Sequence, residues 1–365
     1  MRIVIIGGNG QVASEVVLLL AAKGAIEVVP VARTRGGSAF LRSHNISVVH
    51  GNVSNPETAM RILKGADVIA NFALAAGSPN EAMRRNRELI NRIFSASPVH
   101  AKHVFISTIS VKGEYDAFGR RRSSFYGLLK KTNEAQVRRL ARKLGRETHI
   151  LRLGHVIGTF QNLSNLIREE ILAGTAHVPH PERDANVTST VSIADYLLRV
   201  ANGSAGPGGT FDLLNLPQWS WRKVYEFESE AVGVGERIAF TVAPAPLLHT
   251  RPSPASILAS MITPGVREVL LKLLTVIHPK VESRMRAAYS IARTRRATVP
   301  LFRSPEVSNP ALVTPAYRPN VPPHQQPTMS IIALAPAWYA AWPRPRGDFR
   351  ANTPVRISLE NSGSR

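Results

Sequence analysis

The chain of 365 residues has no cysteine, so disulfide scaffolding, thiolate nucleophiles and cysteine-ligated metal centres are all excluded. Aromatic residues make up only 6%. They are too sparse to supply the aromatic-plus-basic strands on which single-stranded nucleic acid stacks, and no nucleic-acid reader motif occurs. No apolar run reaches the ~20 residues that span a bilayer. Histidines never fall at zinc-like spacing; His177 and His180 sit in a proline-containing stretch, so no metal is expected. Acidic residues are scarce beside bases, 25 against 46, for a net charge of +21. A surface of that sign suits phosphorylated small molecules or anionic lipid. Met1 leads straight into an apolar strand pattern, so a secretory signal is not expected, and the cysteine-free composition fits a reducing cytoplasm.

What is present begins at the first residues. Arg2-Ile3-Val4-Ile5-Ile6 is a short β-branched run, followed by Gly7-Gly8-Asn9-Gly10 and the helical pattern Val12, Val16, Val17, Leu20. This strand–turn–helix order is the context a dinucleotide fingerprint requires. Gly7 serves the tight turn. Gly10 lets the backbone, with Gln11 and Val12, approach a pyrophosphate at the helix N-terminus, and Ala13 takes the third small position. The second strand runs through Val28 to Ala32 and ends in Arg33-Thr34-Arg35. Basic residues there accommodate the 2′-phosphate of NADP, where an acid would hold the ribose of NAD. NADP is therefore the expected cofactor and NAD the second choice.

Further along, Ser107-Thr108-Ile109-Ser110 forms a hydroxyl-rich strand end, and Tyr126 and Lys130 follow four residues apart in a helical stretch from Ser123 to Ala141. That spacing puts both side chains on one helix face. A phenol titrates near pH ~10, and a neighbouring ammonium draws it toward working pH. Such a pair suits acid/base catalysis at a carbinol or carbonyl.

Together these segments resemble the short-chain dehydrogenase/reductase superfamily, in its extended, epimerase/dehydratase-like branch, over roughly residues 1 to 235. Supporting segments are Gly51-Asn52-Val53, Asp67 to Ala73, His103 to Gly113, Ile150 to Gly158 and Val191 to Asp195. The resemblance implies a catalytic set of Thr108, Tyr126 and Lys130, with Lys130 also bonding the nicotinamide ribose. It places Asn52 and Val53 near the adenine, Phe72 and Ala73 beside the cofactor, and a structural Asn near Asn86. Ser107 and Ser110 are neighbours able to assist. Dehydratases of this branch carry Asp-Glu after the hydroxyl residue; Ile109-Ser110 stands there instead, which argues against 4,6-dehydration. Lys112 and Ser192 replace a usual Tyr and His.

The expected fold is α/β, a doubly wound parallel Rossmann sheet with a smaller C-terminal substrate lobe and a Pro-rich basic tail. Residues 1–155 form the dinucleotide-binding core, 156–262 mix core-return and lobe segments, 263–299 an amphipathic basic helix, and 300–365 the tail. Trp219 and Trp221 look like the start of a lobe helix and suit core packing. The apolar stripe Val266, Val269, Leu270, Leu273, Leu274, Ile277 is expected to dock on the lobe, with a peripheral membrane contact as the alternative. Residues 245–365 carry 16 bases against 5 acids.

The leading functional expectation is an NAD(P)-dependent epimerase or 4-ketoreductase of a nucleotide-linked sugar, working as a homodimer on a phosphorylated small molecule. Arg168, Arg183 or Arg222 would meet the substrate diphosphate. Two alternatives stand beside it: a reductase of a lipid-like or aromatic carbonyl compound, and a non-catalytic NADP-binding protein.

Overall fold

The computed structural model describes residues 1–24, 26–34, 38–115, 121–122, 124–174, 176–177, 181–182, 184–215, 218–232 and 240–241. Arg35, Arg183, His180, the apolar stripe and the Pro-rich tail lie outside the described residues.

The elements run β1 (Arg2–Ile6), α1 (Gln11–Ala22), β2 (Glu27–Ala32), α2 (Ala39–Ser43), β3 (Val49–His50), α3 (Pro56–Leu63), β4 (Val68–Asn71), α4 (Pro79–Ala96) and β5 (Lys102–Thr108). A 3₁₀ turn (Ile109–Lys112) follows, then β6 (Glu114–Tyr115), β7 (Arg121–Arg122), α5 (Phe125–Leu144), β8 (Thr148–Leu153) and β9 (His155–Ile157). The rest are α6 (Asn162–Leu172), β10 (Ala176–His177), β11 (Val187–Ser189), α7 (Thr190–Ala201), β12 (Gly209–Leu213), α8 (Trp221–Val232) and β13 (Phe240–Thr241).

Seven strands form one parallel sheet in the order β12-β8-β5-β4-β1-β2-β3. The order reverses at β1, whose neighbours are β2 and β4. In an open parallel sheet this switch point leaves a crevice beyond the strand C-termini, where ligands bind. Both faces are covered, so the strands read as continuous apolar runs rather than alternating ones. In β1, Ile3 and Ile5 pack with α1 and α7, whereas Val4 and Ile6 join α3 and α4 on the opposite face.

Local sequence sets the helix boundaries. Asn55 caps α3 ahead of Pro56, and Ser78 and Glu81 form a capping box ahead of Pro79–Ala96. Ser124 caps α5, and Gly145 ends it in the left-handed conformation. Trp221 opens α8; Trp219 and Trp221 are both buried in the core, as their composition context predicts. The seventh strand, β12, comes from the 156–262 segment and closes the sheet beside β8. Among the described residues no helix is long and apolar enough to cross a membrane.

Candidate active site

One side of the crevice is made from backbone. Gly7 follows β1 with φ +76, and a Cβ there would lie 2.9 Å from the Ala73 nitrogen and Cα. The amides of Gly7 and Gly8 both donate to the Val31 carbonyl (3.1 and 3.0 Å), and Gly10 N–H donates to Gly7 O at 2.9 Å. The turn is thereby pressed between the ends of β2 and β4, where only glycine fits. No side chain caps α1 at Gly10. An uncapped helix N-terminus at a switch point is an anion site, and the tight glycine cradle lets a diphosphate reach its amides. The chain's own residues therefore fit a dinucleotide.

The other residues expected around a cofactor are placed as follows. Val12 is half-buried against the core. Gln11 turns its side chain away from the glycine turn, donating to Phe160 O at 3.0 Å and Asn162 Oδ1 at 2.5 Å. Only its backbone remains for a pyrophosphate. Arg33 is exposed just past β2. Asn52 is exposed and accepts from Ser54 N–H at 3.2 Å, while Val53 is buried in the core beside α3. Phe72 and Ala73 leave β4 alongside the glycine turn; Ala73 N–H donates to buried Asn71 Oδ1 at 3.1 Å. Asn86 has a definite job. Its amide clamps the chain after β4 by bonding both Ala75 N–H (3.1 Å) and Ala75 O (2.9 Å).

The other side is made from side chains. Thr108 ends β5, is buried, and its Oγ1 accepts from Ser110 N–H at 3.2 Å, capping the 3₁₀ turn. Tyr126 stands in the first turn of α5 and is 43% exposed; Lys130, one turn on, is 4% exposed. Gly127 lies between them. A Cβ on it would fall 2.5 Å from Ser110 O, so only glycine lets the start of α5 press on the turn that carries Thr108. The Lys130 Nζ donates to Ile106 O at 2.7 Å and lies 5.2 Å from the Phe105 ring centre. An ammonium has three donors, so the Ile106 bond does not exhaust it. Burial lowers the Lys130 pKa to about 8, with the charge of Glu134 opposing the shift.

Glu134 sits one further turn along α5 and is fully buried. It accepts from Ser107 Oγ (2.6 Å), Arg152 Nε (2.9 Å), Arg152 Nη2 (2.8 Å) and Arg138 Nη1 (3.1 Å). Burial alone would raise its pKa; the bonds from Arg152, Ser107 and Arg138 outweigh it and hold the carboxyl below its usual value. Asp212 on β12 extends the chain of charges, pairing with Lys112 and lying 3.8 Å from Arg152. The motif reading passed over this network. Its one sequence signal is spacing: Tyr126, Lys130 and Glu134 recur every four residues, an acid on the buried face of a helix.

Two expectations are corrected here. Ser107, expected as a neighbour able to assist Thr108, instead donates its hydroxyl to Glu134 beneath the sheet end. Arg168 is not presented to a diphosphate: its Nε bonds buried Glu228 at 2.6 Å and its Nη1 bonds Thr159 O at 3.1 Å. Arg222 is paired at the surface with Glu182 at 2.6 Å. Among the described residues no cluster of three His, Asp or Glu could hold a metal ion.

Fold and crevice define a Rossmann-like α/β domain, a parallel seven-stranded sheet with a glycine turn at its switch point. Residues 3–180 match the model of the NAD dependent epimerase/dehydratase family. No curated protein matches the chain. Solved structures with the same fold include UDP-N-acetylglucosamine 4-epimerase from Bacillus cereus (17% identity, TM-score 0.51, covering 66% of this chain and 85% of that one). Another is dTDP-glucose 4,6-dehydratase from Bacillus anthracis in complex with NAD (18%, 0.52, 66% and 84%). A third is UDP-glucuronic acid 4-epimerase from Bacillus cereus with UDP-glucuronic acid and NAD (18%, 0.50, 66% and 86%). At these identities the likeness is one of fold.

Proposed function

We propose that this chain is an NAD(P)-dependent enzyme acting at a hydroxyl or keto carbon of a nucleotide-linked sugar, as an epimerase or 4-ketoreductase. One observation carries the reading. Gly127 packs the first turn of α5, which holds Tyr126 with buried Lys130 one turn on, directly onto the turn capped by Thr108. The cofactor, when bound, supplies hydride transfer at its nicotinamide. The protein's part is protonic. Tyr126 takes the proton from the sugar hydroxyl oxygen as that carbon loses hydride, and returns one when the carbonyl is reduced. Thr108 hydrogen-bonds the same oxygen. Lys130, with a pKa of about 8, carries positive charge at neutral pH and favours the Tyr126 phenolate. The 3₁₀ turn Ile109–Lys112 contributes no acid, which speaks for epimerisation or ketoreduction over water elimination.

NADP is the preferred cofactor in this proposal, on the strength of exposed Arg33 and of Arg35 in the sequence. The test incubates the protein with each cofactor and a panel of UDP- and dTDP-sugars, and follows sugar stereochemistry and reduced nicotinamide. Interconversion of a 4-hydroxyl epimer pair, or NADPH-dependent loss of a 4-keto sugar, is the expected result. Cofactor binding without turnover on any sugar would favour the non-catalytic alternative. Tighter binding of NAD than NADP would show that Arg33 does not read the 2′-phosphate.

A further inference from the structure

Glu15 is the most completely buried acid near the glycine turn, with no exposed surface although it lies on α1. Burying a carboxyl group is costly unless donors surround it. Four donors do. Thr159 N–H (2.8 Å) and Thr190 Oγ1 (2.9 Å) bond Oε1; Phe160 N–H (3.1 Å) and Gln161 Nε2 (2.7 Å) bond Oε2. Three of these come from one turn, residues 158–161, which joins β9 to α6. The turn's remaining amides are also occupied: Gly158 N–H bonds Ser164 Oγ at 3.1 Å and Gln161 N–H bonds Gly158 O at 3.4 Å. Gly158 itself is shaped by the acid, since a Cβ there would sit 2.4 Å from Glu15 Oε1.

The same turn reaches the first residue of α1. Gln11 bonds Phe160 O and Asn162 Oδ1, and Gln161 Nε2 also reaches Gln11 O at 3.4 Å. We propose that Glu15 is a positioning residue of the cofactor cleft: its carboxylate is the resident anion on which the turn 158–161 is built, and it fixes that turn against the helix whose N-terminus receives the cofactor diphosphate. This rests on the dinucleotide reading for its consequence, though not for its geometry. Two backbone amides, a carboxamide and a hydroxyl converge on a space of carboxylate size. Without the acid, all four lose a shared acceptor at once, and the wall of the cleft beside Gln11 loses its anchor.

The experiment compares wild type, Glu15→Gln, Glu15→Ala and Glu15→Ala/Gly158→Ala in two steps. The first needs no cofactor. Hydrogen exchange at the Thr159 and Phe160 amides should accelerate in Glu15→Ala by about ten- to hundredfold, as loss of a buried acceptor implies, with β1 amides unaffected. Added formate should slow it again by filling the vacated space, and should leave wild type unchanged. Glu15→Gln, which keeps one acceptor oxygen, should fall between. In the double variant the Gly158 methyl enters space left by the carboxylate, so the two losses of stability should be less than additive. The second step titrates NADP and NAD. Glu15→Ala should bind the preferred cofactor more weakly, and formate should restore the affinity. If Glu15→Ala does not fold, Gly158→Ala, which displaces the turn while keeping the acid, should show the same exchange and affinity changes. Unchanged exchange at Thr159 and Phe160, or an opened turn with unaltered cofactor affinity, overturns the proposal. Failure of the wild-type chain to bind either cofactor would overturn the dinucleotide reading itself, and is seen before any variant is compared.

Discussion

The two sides of the crevice are built on opposite principles. Around Gly7 the working parts are backbone amides and the absence of side chains; a Cβ in the wrong place is the main hazard. Around Lys130 the working parts are buried charges, each held by named partners. The glycine side can be spoiled by adding atoms, the α5 side by removing them. On the proposed function the difference separates binding from chemistry, and substitutions can be chosen to strike one and spare the other.

The largest expected effect lies on the α5 side. Tyr126→Phe keeps the ring and removes its proton, so turnover should fall by roughly 10²- to 10⁴-fold, the usual share of a positioned acid/base group. Cofactor affinity should hold within a small factor. A variant that keeps its rate would take Tyr126 out of the reaction and collapse the contrast.

Glu134→Gln should follow closely in size, but in stability. It leaves the Arg152 guanidinium against a neutral partner in a half-buried site, and breaking such a pair costs about 3–5 kcal/mol. The midpoint of denaturant unfolding should drop accordingly. A change below about 1 kcal/mol would mean that water serves Arg152 as well as Glu134 does.

Lys130→Met should behave in the reverse way, losing activity without losing stability. Burial lowers the Lys130 pKa from 10.5 to about 8, so the unfolded chain holds the proton more tightly than the folded one. Folding is therefore opposed below about pH 8, by on the order of 3 kcal/mol for a shift of that size. The opposition fades as pH rises from about 8 to 10.5. Wild-type stability should gain in that window relative to Lys130→Met, in unfolding curves taken across it. A flat difference would place the ammonium in contact with solvent.

Gly7→Ala tests the backbone side and should cost less stability than Glu134→Gln, about 1–3 kcal/mol for an alanine forced to positive φ against backbone. Its effect on cofactor binding should be far greater than that of Tyr126→Phe.

Much of this contrast was legible in the sequence. Gly7, Gly10 and the Tyr126–Lys130 pair stand in short contiguous motifs, and local spacing is what a sequence displays. The ends of β1 and β2 followed from apolar runs for the same reason, and the helix expected from Ser123 to Ala141 is α5, Phe125–Leu144. The parts that escaped depend on distant partners. Arg168 looked like a ligand for phosphate because Glu228, sixty residues on, gives no local sign of meeting it. Arg152 is separated by 18 residues from Glu134, and Glu15 by 144 from Thr159. Ser107 was expected to assist Thr108 because it stands next to it, but strand alternation points it to the α5 side, where it donates to Glu134.

The account stands most directly on a cofactor titration of three proteins: wild type, Gly7→Ala and Tyr126→Phe, each with NADP and NAD, alongside the turnover of each on the best sugar nucleotide. The division between a backbone side that binds and an α5 side that reacts predicts that Gly7→Ala loses cofactor affinity and Tyr126→Phe keeps it while losing turnover. Full cofactor affinity in Gly7→Ala, or weakened affinity with intact turnover in Tyr126→Phe, would contradict it.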